Sequence, residues 1–416
     1  MNLDWDAAAR RTVQRCRALA CYSEEPGWTT RTYLSRPMRD VHRALTEWLA
    51  PCGCAVAIDA AGNLRAVRSG GGAGLRPAIF RGAASLVIGS HLDTVLHAGA
   101  FDGVLGVVMG VALLESLGPR EWPFDIELIG FSEEEGVRFS LPFLGSRAVT
   151  GDLDEAVVAI ISPAIREFGL DPAELPLARL RRPITGYLEF HIEQGPVLEQ
   201  LGLPVGIVEA IAGQSRLEVR FEGTAAHAGT TPPQLRKDAL AGAAEWIAAV
   251  ERSMRDTPGL VATVGRITAE PGAPNVIAGA AGASLDIRHA HDEIRHRAAQ
   301  GLTKDAEAIA HSRGLRVCVE TRSDLPATPM DRHFVALLEE AVRAAGYPVH
   351  RMPSGAGHDA MILAAHVPAA MLFIQSPGGL SHCPQESVRE EDVAAALACG
   401  AEFLSVLERQ HTGAGE

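Results

Sequence analysis

The sequence predicts an α/β chain in two parts. The larger is a domain whose central, mostly parallel sheet is flanked by helices, and an inserted α+β sandwich interrupts it. Three observations carry this reading. Short apolar runs alternate with apolar helices and end in loops rich in Gly, His and acidic residues, which is the grammar of parallel α/β folds. Between residues 209 and 325 the pattern changes to β-α-β-β-α-β, the order of a split βαβ sandwich. At 416 residues the chain is too long for one compact core. We therefore expect one domain from 1–208 with 326–416, and an insert at 209–325.

In chain order, residues 6–20 and 38–49 have helical periodicity. Residues 55–58 and 64–67 flank Asp59-Ala60-Ala61-Gly62-Asn63, a hairpin with a Gly-bearing turn. Residues 70–74 form a glycine tract that reads as flexible. Residues 85–88 are a short strand leading to Gly89-Ser90-His91. Residues 104–117 are a continuously apolar helix stopped by Gly118-Pro119, and 126–130 a strand ending at Glu133-Glu134-Glu135. Residues 184–190 deliver His191. In the insert, 215–221 alternate as a half-buried strand, followed by a helix over 236–254 and strands over 261–267 and 283–287. A helix over 292–312 and a strand over 316–320 complete it. The pattern of the larger domain resumes at 331–345 and 355–365, and a strand at 370–374 and a last helix at 390–407 close the chain.

Composition limits the function. The chain has 42 glycines, 5% aromatic residues and a net charge of −13. That charge argues against a nucleic-acid partner, because nonspecific affinity comes from Lys and Arg neutralising phosphates. It equally disfavours an anionic membrane surface. No apolar run approaches a membrane span, and no charged-then-apolar leader opens the chain, so a cytoplasmic location is expected. The seven cysteines include Cys52-Gly53-Cys54, too closely spaced for a redox or zinc motif, and buried reduced thiols are the expectation.

The chemistry lies in His and carboxylate residues at the ends of apolar runs. Such groups are costly to bury unless paired or bound to metal. His91, Asp102, Glu135, His191 and His382 offer the mixed nitrogen and oxygen ligation of a two-metal hydrolytic centre, suited to zinc, manganese, cobalt or nickel. A lone histidine is more often a surface or hydrogen-bonded residue. Three directly after predicted strands and beside Gly turns are less readily explained that way. In the Glu triplet one carboxylate can ligate while its neighbour acts as general base. Asp93 can hold the second nitrogen of His91.

The motifs resemble the hydantoinase/carbamoylase branch of the dinuclear M20 metallopeptidase-like amidohydrolases. They run from Gly89-Ser90-His91-Leu92-Asp93-Thr94-Val95 through Phe101-Asp102-Gly103 and Glu134-Glu135-Gly136 to His191-Ile192-Glu193-Gln194-Gly195-Pro196. Ala226-His227-Ala228-Gly229, Pro274-Asn275-Val276-Ile277, Gly355-Ala356-Gly357-His358-Asp359 and Ser381-His382-Cys383-Pro384 continue the match. The resemblance covers nearly the whole chain, and the segment from His191 to Pro196 is specific to this branch. It implies that His91, Asp102 and His191 hold one divalent ion and Asp102, Glu135 and His382 a second, with Asp102 as bridge. Glu134 is implied as general base, with no role for Glu133. His227 is implied as stabiliser of the developing oxyanion, and the insert as lid and dimerisation domain of a homodimer. The implied substrate is a linear ureido acid, its carboxylate anchored by Arg288 with Arg216, Asn275 and Gln194 as polar partners, and His358 lining the pocket.

Some positions depart from the family pattern. Ala98-Gly99-Ala100 replaces a more Gly-rich approach to Asp102, Pro233 and Ala278 replace common Met and Pro, and Cys383 stands where Asn or Ser is usual. None removes a proposed ligand. The expectation is hydrolysis of an N-carbamoyl-L-amino acid, with allantoate, N-carbamoyl-β-alanine, peptides or a catalytically silent binding role as alternatives.

Overall fold

The computed structural model describes residues 4–70, 84–118, 120–181 and 183–413. The glycine tract from residue 71 onward and Pro119 lie outside them. The strands are β1 (Ala55–Ile58), β2 (Leu64–Arg68), β3 (Ser85–His91), β4 (Asp125–Phe131), β5 (Ile184–Ile192) and β6 (Val205–Ile211). There follow β7 (Gly213–Glu222), β8 (Ala226–His227), β9 (Val261–Thr263), β10 (Ile267–Glu270), β11 (Val276–Ile277) and β12 (Ala280–His289). Last are β13 (Arg316–Leu325), β14 (Thr328–Pro329), β15 (Arg351–Ser354) and β16 (Ala369–Ile374). The chain divides into two compact units: Met1–Glu209 with Met330–Met352 and Ala356–Glu416, and Ala210–Pro329 with Pro353–Gly355. The second unit thus runs past the expected end at 325 and takes in a short return segment, where Ala212 N–H donates to Ser354 O at 2.9 Å.

In the first unit the sheet order is β1-β2-β4-β3-β5-β16-β6, with β15 on β6. Pairing is parallel from β4 through β3 and β5 to β16, and antiparallel where β2 meets β4 and β6 meets β16. A mostly parallel sheet therefore describes the four central strands, and the flanks are antiparallel. Every residue of β3 and β4 is buried, so both faces are covered, as parallel sheets require. The helix Val104–Ser116 packs on β3 and β5, and it is buried along its first eleven residues. Its close approach depends on Gly106, where a Cβ would lie 2.1 Å from Phe190 O. The parallel register brings the C-terminal ends of β3, β4, β5 and β16 to one edge, where open α/β sheets place their chemistry.

Among the described residues, Leu144–Thr150 and Glu155–Glu167, together with the single turn Val197–Leu201, are helices that were not anticipated. The first is only a turn or two, and Pro163 interrupts the pattern of the second, which Asp154 caps by accepting from Val157 N–H at 2.8 Å. Of the segment read at 355–365, only Asp359–Leu363 is helical, and β15 ends just before it. Strand β6 was missed because its run is apolar on both faces and carries no period.

The second unit is a five-stranded antiparallel sheet in the order β10-β12-β7-β13, with β9 on β12. Helices Ala239–Asp256 and Asp292–Ser312 cover it around Phe221, Trp246 and Ile287. Strand β7 alternates buried and exposed residues along its length, the half-buried pattern read from its sequence. Among the described residues no helix is long and apolar enough to cross a membrane.

Candidate metal centre

Each of the four central strands contributes one part of the site. His91 ends β3, Ser132–Glu135 follow β4, His191 lies near the end of β5, and His382 sits in the loop after β16. Asp102 comes from the turn that opens the helix Val104–Ser116. Its Oδ1 lies 3.3 Å from His191 Nε2 and 3.7 Å from His91 Nε2, and its Oδ2 lies 3.2 Å from His382 Nε2. His382 Nε2 is also 3.5 Å from Glu135. The ligand atoms form two groups sharing one carboxylate, His91–Asp102–His191 and Asp102–Glu135–His382, and Glu134 joins His91 and Glu135 in a third.

This arrangement fits two divalent ions. Among the described residues, Asp102 Oδ1 is buried without a formed hydrogen bond, and His91 and His191 turn their Nε2 atoms toward each other at 3.5 Å. Two imidazole nitrogens and an unsatisfied carboxylate oxygen converging in a buried pocket suit a cation. The charge around them agrees. Asp93, Asp102, Glu133, Glu134, Glu189, Asp359 and Glu386 are all buried, whereas among the described residues the only buried arginine that meets these loops is Arg31.

Burial works to raise Asp102, but the facing histidines His191, His382 and His91 outweigh it and hold its carboxyl well below the usual range. Burial pushes Glu134 well above the usual range, helped by the charges of Glu135, Asp359 and Asp93. Glu135 is pushed up to about 7, chiefly by burial. Bound cations would pull these acidic groups back down.

The loops are held by backbone contacts. His91 Nδ1 meets the backbone carbonyl of Asp93 at 3.0 Å, while the Asp93 carboxylate lies 3.7 Å from the ring. That carboxylate instead accepts from Glu134 N–H at 3.0 Å and Glu135 N–H at 3.1 Å. The expectation that the Asp93 side chain holds His91 is thus corrected: its carbonyl does so, and its carboxylate fixes the acidic pair. Glu133, left without a role, accepts from Tyr33 N–H at 3.1 Å and Arg138 N–H at 2.8 Å and ties the loop to the N-terminal segment. Arg31 donates to Leu92 O at 2.8 Å behind His91. Glu133, Gln194 and His382 have positive φ of 52°, 58° and 56°, so three site loops carry a backbone conformation unusual outside glycine. Gly103, at φ 65°, lies so close that a Cβ there would be 2.3 Å from His91 Cδ2.

Gln194 turns its amide N–H groups to Asp102 Oδ2 at 3.0 Å and Ser381 Oγ at 3.1 Å, so it contacts the shared carboxylate. His358 is buried, its ring edge-on to His191 with centroids 4.3 Å apart. Glu189 completes that group, its oxygens taken by Tyr187 Oη at 3.0 Å, Ser90 Oγ at 3.2 Å and Ala360 N–H at 2.9 Å. It reads as a brace beneath His191. Cys383 is partly buried and reduced, and of all seven free cysteines only Cys16 and Cys399 are fully buried, which corrects the expectation of buried thiols.

The remaining candidates lie in the second unit, in two places. His227 and Asn275 meet on the ribbon β8–β11, where Ala228 N–H donates to Asn275 O at 2.9 Å and His227 pairs with Val276. Arg216 and Arg288 meet on neighbouring strands β7 and β12, and both donate to Asp286: Arg288 Nε at 2.9 Å and Arg216 Nε at 3.1 Å. Gln214 adds a third donor at 2.8 Å, and Arg288 also reaches Gly355 O at 2.6 Å. Asp286 and Gln214 were missed by sequence reasoning. The Asp286–Arg288 spacing, which places both on one strand face, was the available signal.

Comparison with known proteins agrees with this geometry. A profile of the peptidase family M20/M25/M40 matches residues 87–405. The chain is 36% identical over 406 residues to an N-carbamoyl-L-amino acid amidohydrolase of Geobacillus stearothermophilus, covering 95% of this chain and 96% of that one. It is 35% identical over 436 residues to allantoate deiminase 2 of Glycine max, covering 95% and 89%. Among solved structures, a hydantoinase/carbamoylase family amidase from Burkholderia multivorans superposes with a TM-score of 0.86 at 30% identity, covering 96% of this chain and 97% of that one.

Proposed function

This chain belongs to the hydantoinase/carbamoylase branch of the M20 peptidase family, and on that premise we propose that it hydrolyses N-carbamoyl-L-amino acids. The observation that carries the reading is the single carboxylate of Asp102, which turns one oxygen to His191 and the other to His382, beside Glu134. Two divalent ions, held by His91, Asp102, His191, Glu135 and His382, would supply Lewis acidity toward the water and the ureido carbonyl. Zinc, manganese, cobalt and nickel all suit this donor set.

Glu134 takes the proton of the attacking water and returns it to the leaving nitrogen. The bond from the carbamoyl carbon to the terminal nitrogen breaks, ammonia leaves, and the carbamate left behind releases carbon dioxide to give the free amino acid. Asp93 fixes the backbone that carries Glu134. His227 is assigned to the oxyanion that develops on the carbonyl oxygen. Arg288 and Arg216 are assigned to the substrate carboxylate, with Asn275, Gln194 and His358 as polar contacts. Two guanidinium groups against the one carboxylate of Asp286 leave a net positive charge, which suits a monocarboxylate. We assign the chain to a homodimer through the insert, after the family.

A second reading is allantoate as substrate, supported by the match to allantoate deiminase at nearly equal identity and coverage. An ammonia-release assay over N-carbamoyl-L-amino acids, N-carbamoyl-β-alanine and allantoate, with each of the four metals supplied separately, tests the choice. Highest kcat/KM on an N-carbamoyl-L-amino acid is expected. Highest kcat/KM on allantoate would replace it with the second reading.

A further inference from the structure

Outside the proposed ligand set, one buried acid touches two of the loops that carry ligands. Glu386 lies four residues beyond His382 and is 5% exposed. Its Oε1 accepts from Phe101 N–H at 2.8 Å and from Asp102 N–H at 3.0 Å. These backbone donors lie in the turn just before Gly103, the N-cap of the helix Val104–Ser116. Its Oε2 lies 3.2 Å from Ser381 Oγ, and that hydroxyl lies 3.2 Å from Asp102 Oδ2 as well. Glu386 N–H in turn donates to Cys383 O at 3.1 Å, closing the turn that follows His382. One carboxylate therefore joins the loop of Asp102 to the loop of His382 across 284 residues of sequence.

The fit around it is close. A Cβ on Gly99 would lie 2.4 Å from Glu386 Cβ and 2.5 Å from its Oε1, so the approach to Asp102 passes directly over this side chain. No ion pair to Lys or Arg compensates Glu386 among the described residues. Burying a carboxylate so close to Asp102 is unfavourable on its own. Its hydrogen bonds to backbone donors offset part of that cost.

We propose that Glu386 is a positioning residue of the dimetal centre, which holds Asp102 and His382 at the mutual geometry that lets Asp102 serve both ions. It acts by accepting from the Asp102 backbone and anchoring Ser381. The proposal rests on the reading of Asp102 as the shared ligand.

The test compares Glu386→Ala, Glu386→Gln and Gly99→Ala with the wild-type chain. Affinity for manganese and for zinc is measured by chelator competition on metal-free protein, together with the Tm of each metal-free chain. Outer-shell partners of metal ligands typically contribute roughly 10- to 100-fold in affinity, and a loss of that size is expected for Glu386→Ala. Gly99→Ala, which displaces the same side chain, should lose affinity in the same direction. Glu386→Gln keeps a carbonyl acceptor for the two N–H groups and should stay within roughly tenfold of wild type, the lower bound of that range. Metal-free Tm should change little in Glu386→Gln.

Wild-type affinity in Glu386→Ala would overturn the proposal. So would equal losses in Glu386→Gln and Glu386→Ala, which would make charge and not hydrogen bonding the cause. If Glu386→Ala does not fold, Gly99→Ala with wild-type affinity overturns it. A wild-type chain that binds no metal overturns the underlying reading of the centre, which separates that failure from the failure of Glu386.

Discussion

The carboxylate of Asp93 holds Glu134 by its backbone, accepting from the Glu134 N–H at 3.0 Å, and leaves the Glu134 side chain free to act. A base that must move a proton has to be placed without being neutralised, and a hydrogen bond to the main chain does this. The same carboxylate accepts from Glu135 N–H at 3.1 Å, so a proposed base and a proposed ligand share one support.

Asp93→Ala should therefore impair catalysis even though Asp93 is not among the proposed ligands. It leaves the buried Glu134 N–H and the partly buried Glu135 N–H without acceptors, at a cost of up to about 1–3 kcal/mol each. We expect kcat to fall roughly 10- to 100-fold, the usual effect of removing an outer-shell carboxylate. Steady-state kinetics on the metal-loaded chain measure it, and a kcat within twofold of wild type would remove Asp93 from the account.

Arg288→Lys should act on binding. Lysine keeps the charge and loses the planar fork that spans Asp286 and Gly355 O. A hydrogen bond to a charged group contributes about 1.5–3 kcal/mol, so KM should rise roughly 10- to 100-fold with a smaller change in kcat. An unchanged KM on the best ureido acid would argue that Arg288 serves only Asp286.

Acid sensitivity should come partly from His42, away from the metal centre. It is buried on the helix Arg36–Leu49, and its Nε2 has no hydrogen-bond partner among the described residues. Burial, reinforced by the charges of Arg31 and Arg39, lowers its pKa from 6.5 to about 4. The unfolded chain binds this proton more readily, so the contribution of neutral His42 is fully present above the unfolded value. It is lost as pH falls from there through about 4, a change on the order of 3 kcal/mol. Denaturant titrations of His42→Leu should show a shallower decline over that window. An identical decline in both chains would assign the acid sensitivity elsewhere.

What could be read from the sequence was local. His91 and His191 stand at the ends of apolar runs, and a strand end facing a Gly turn is visible in one dimension. The insert was visible because strand β7 alternates while its neighbours in the first unit do not. What could not be read depends on long-range closure. Glu386 meets Asp102 only because β16 lies beside β5 and the following loop returns over the helix Val104–Ser116. Asp93 was matched to His91 by proximity in sequence, yet at two residues' distance it is the carbonyl that reaches the ring, and the carboxylate points to the loop after β4. Asp286 was passed over because an acid two residues from an arginine on a strand usually forms an ordinary surface pair, whereas here it is half-buried.

The most direct test of the central claim is ammonia release by metal-loaded Glu134→Gln on the best ureido acid, with bound metal quantified in the same sample. Both ions should be retained and turnover should fall by roughly 100-fold or more, the contribution of a positioned general base. Wild-type turnover in that chain, with two ions bound, would contradict the claim.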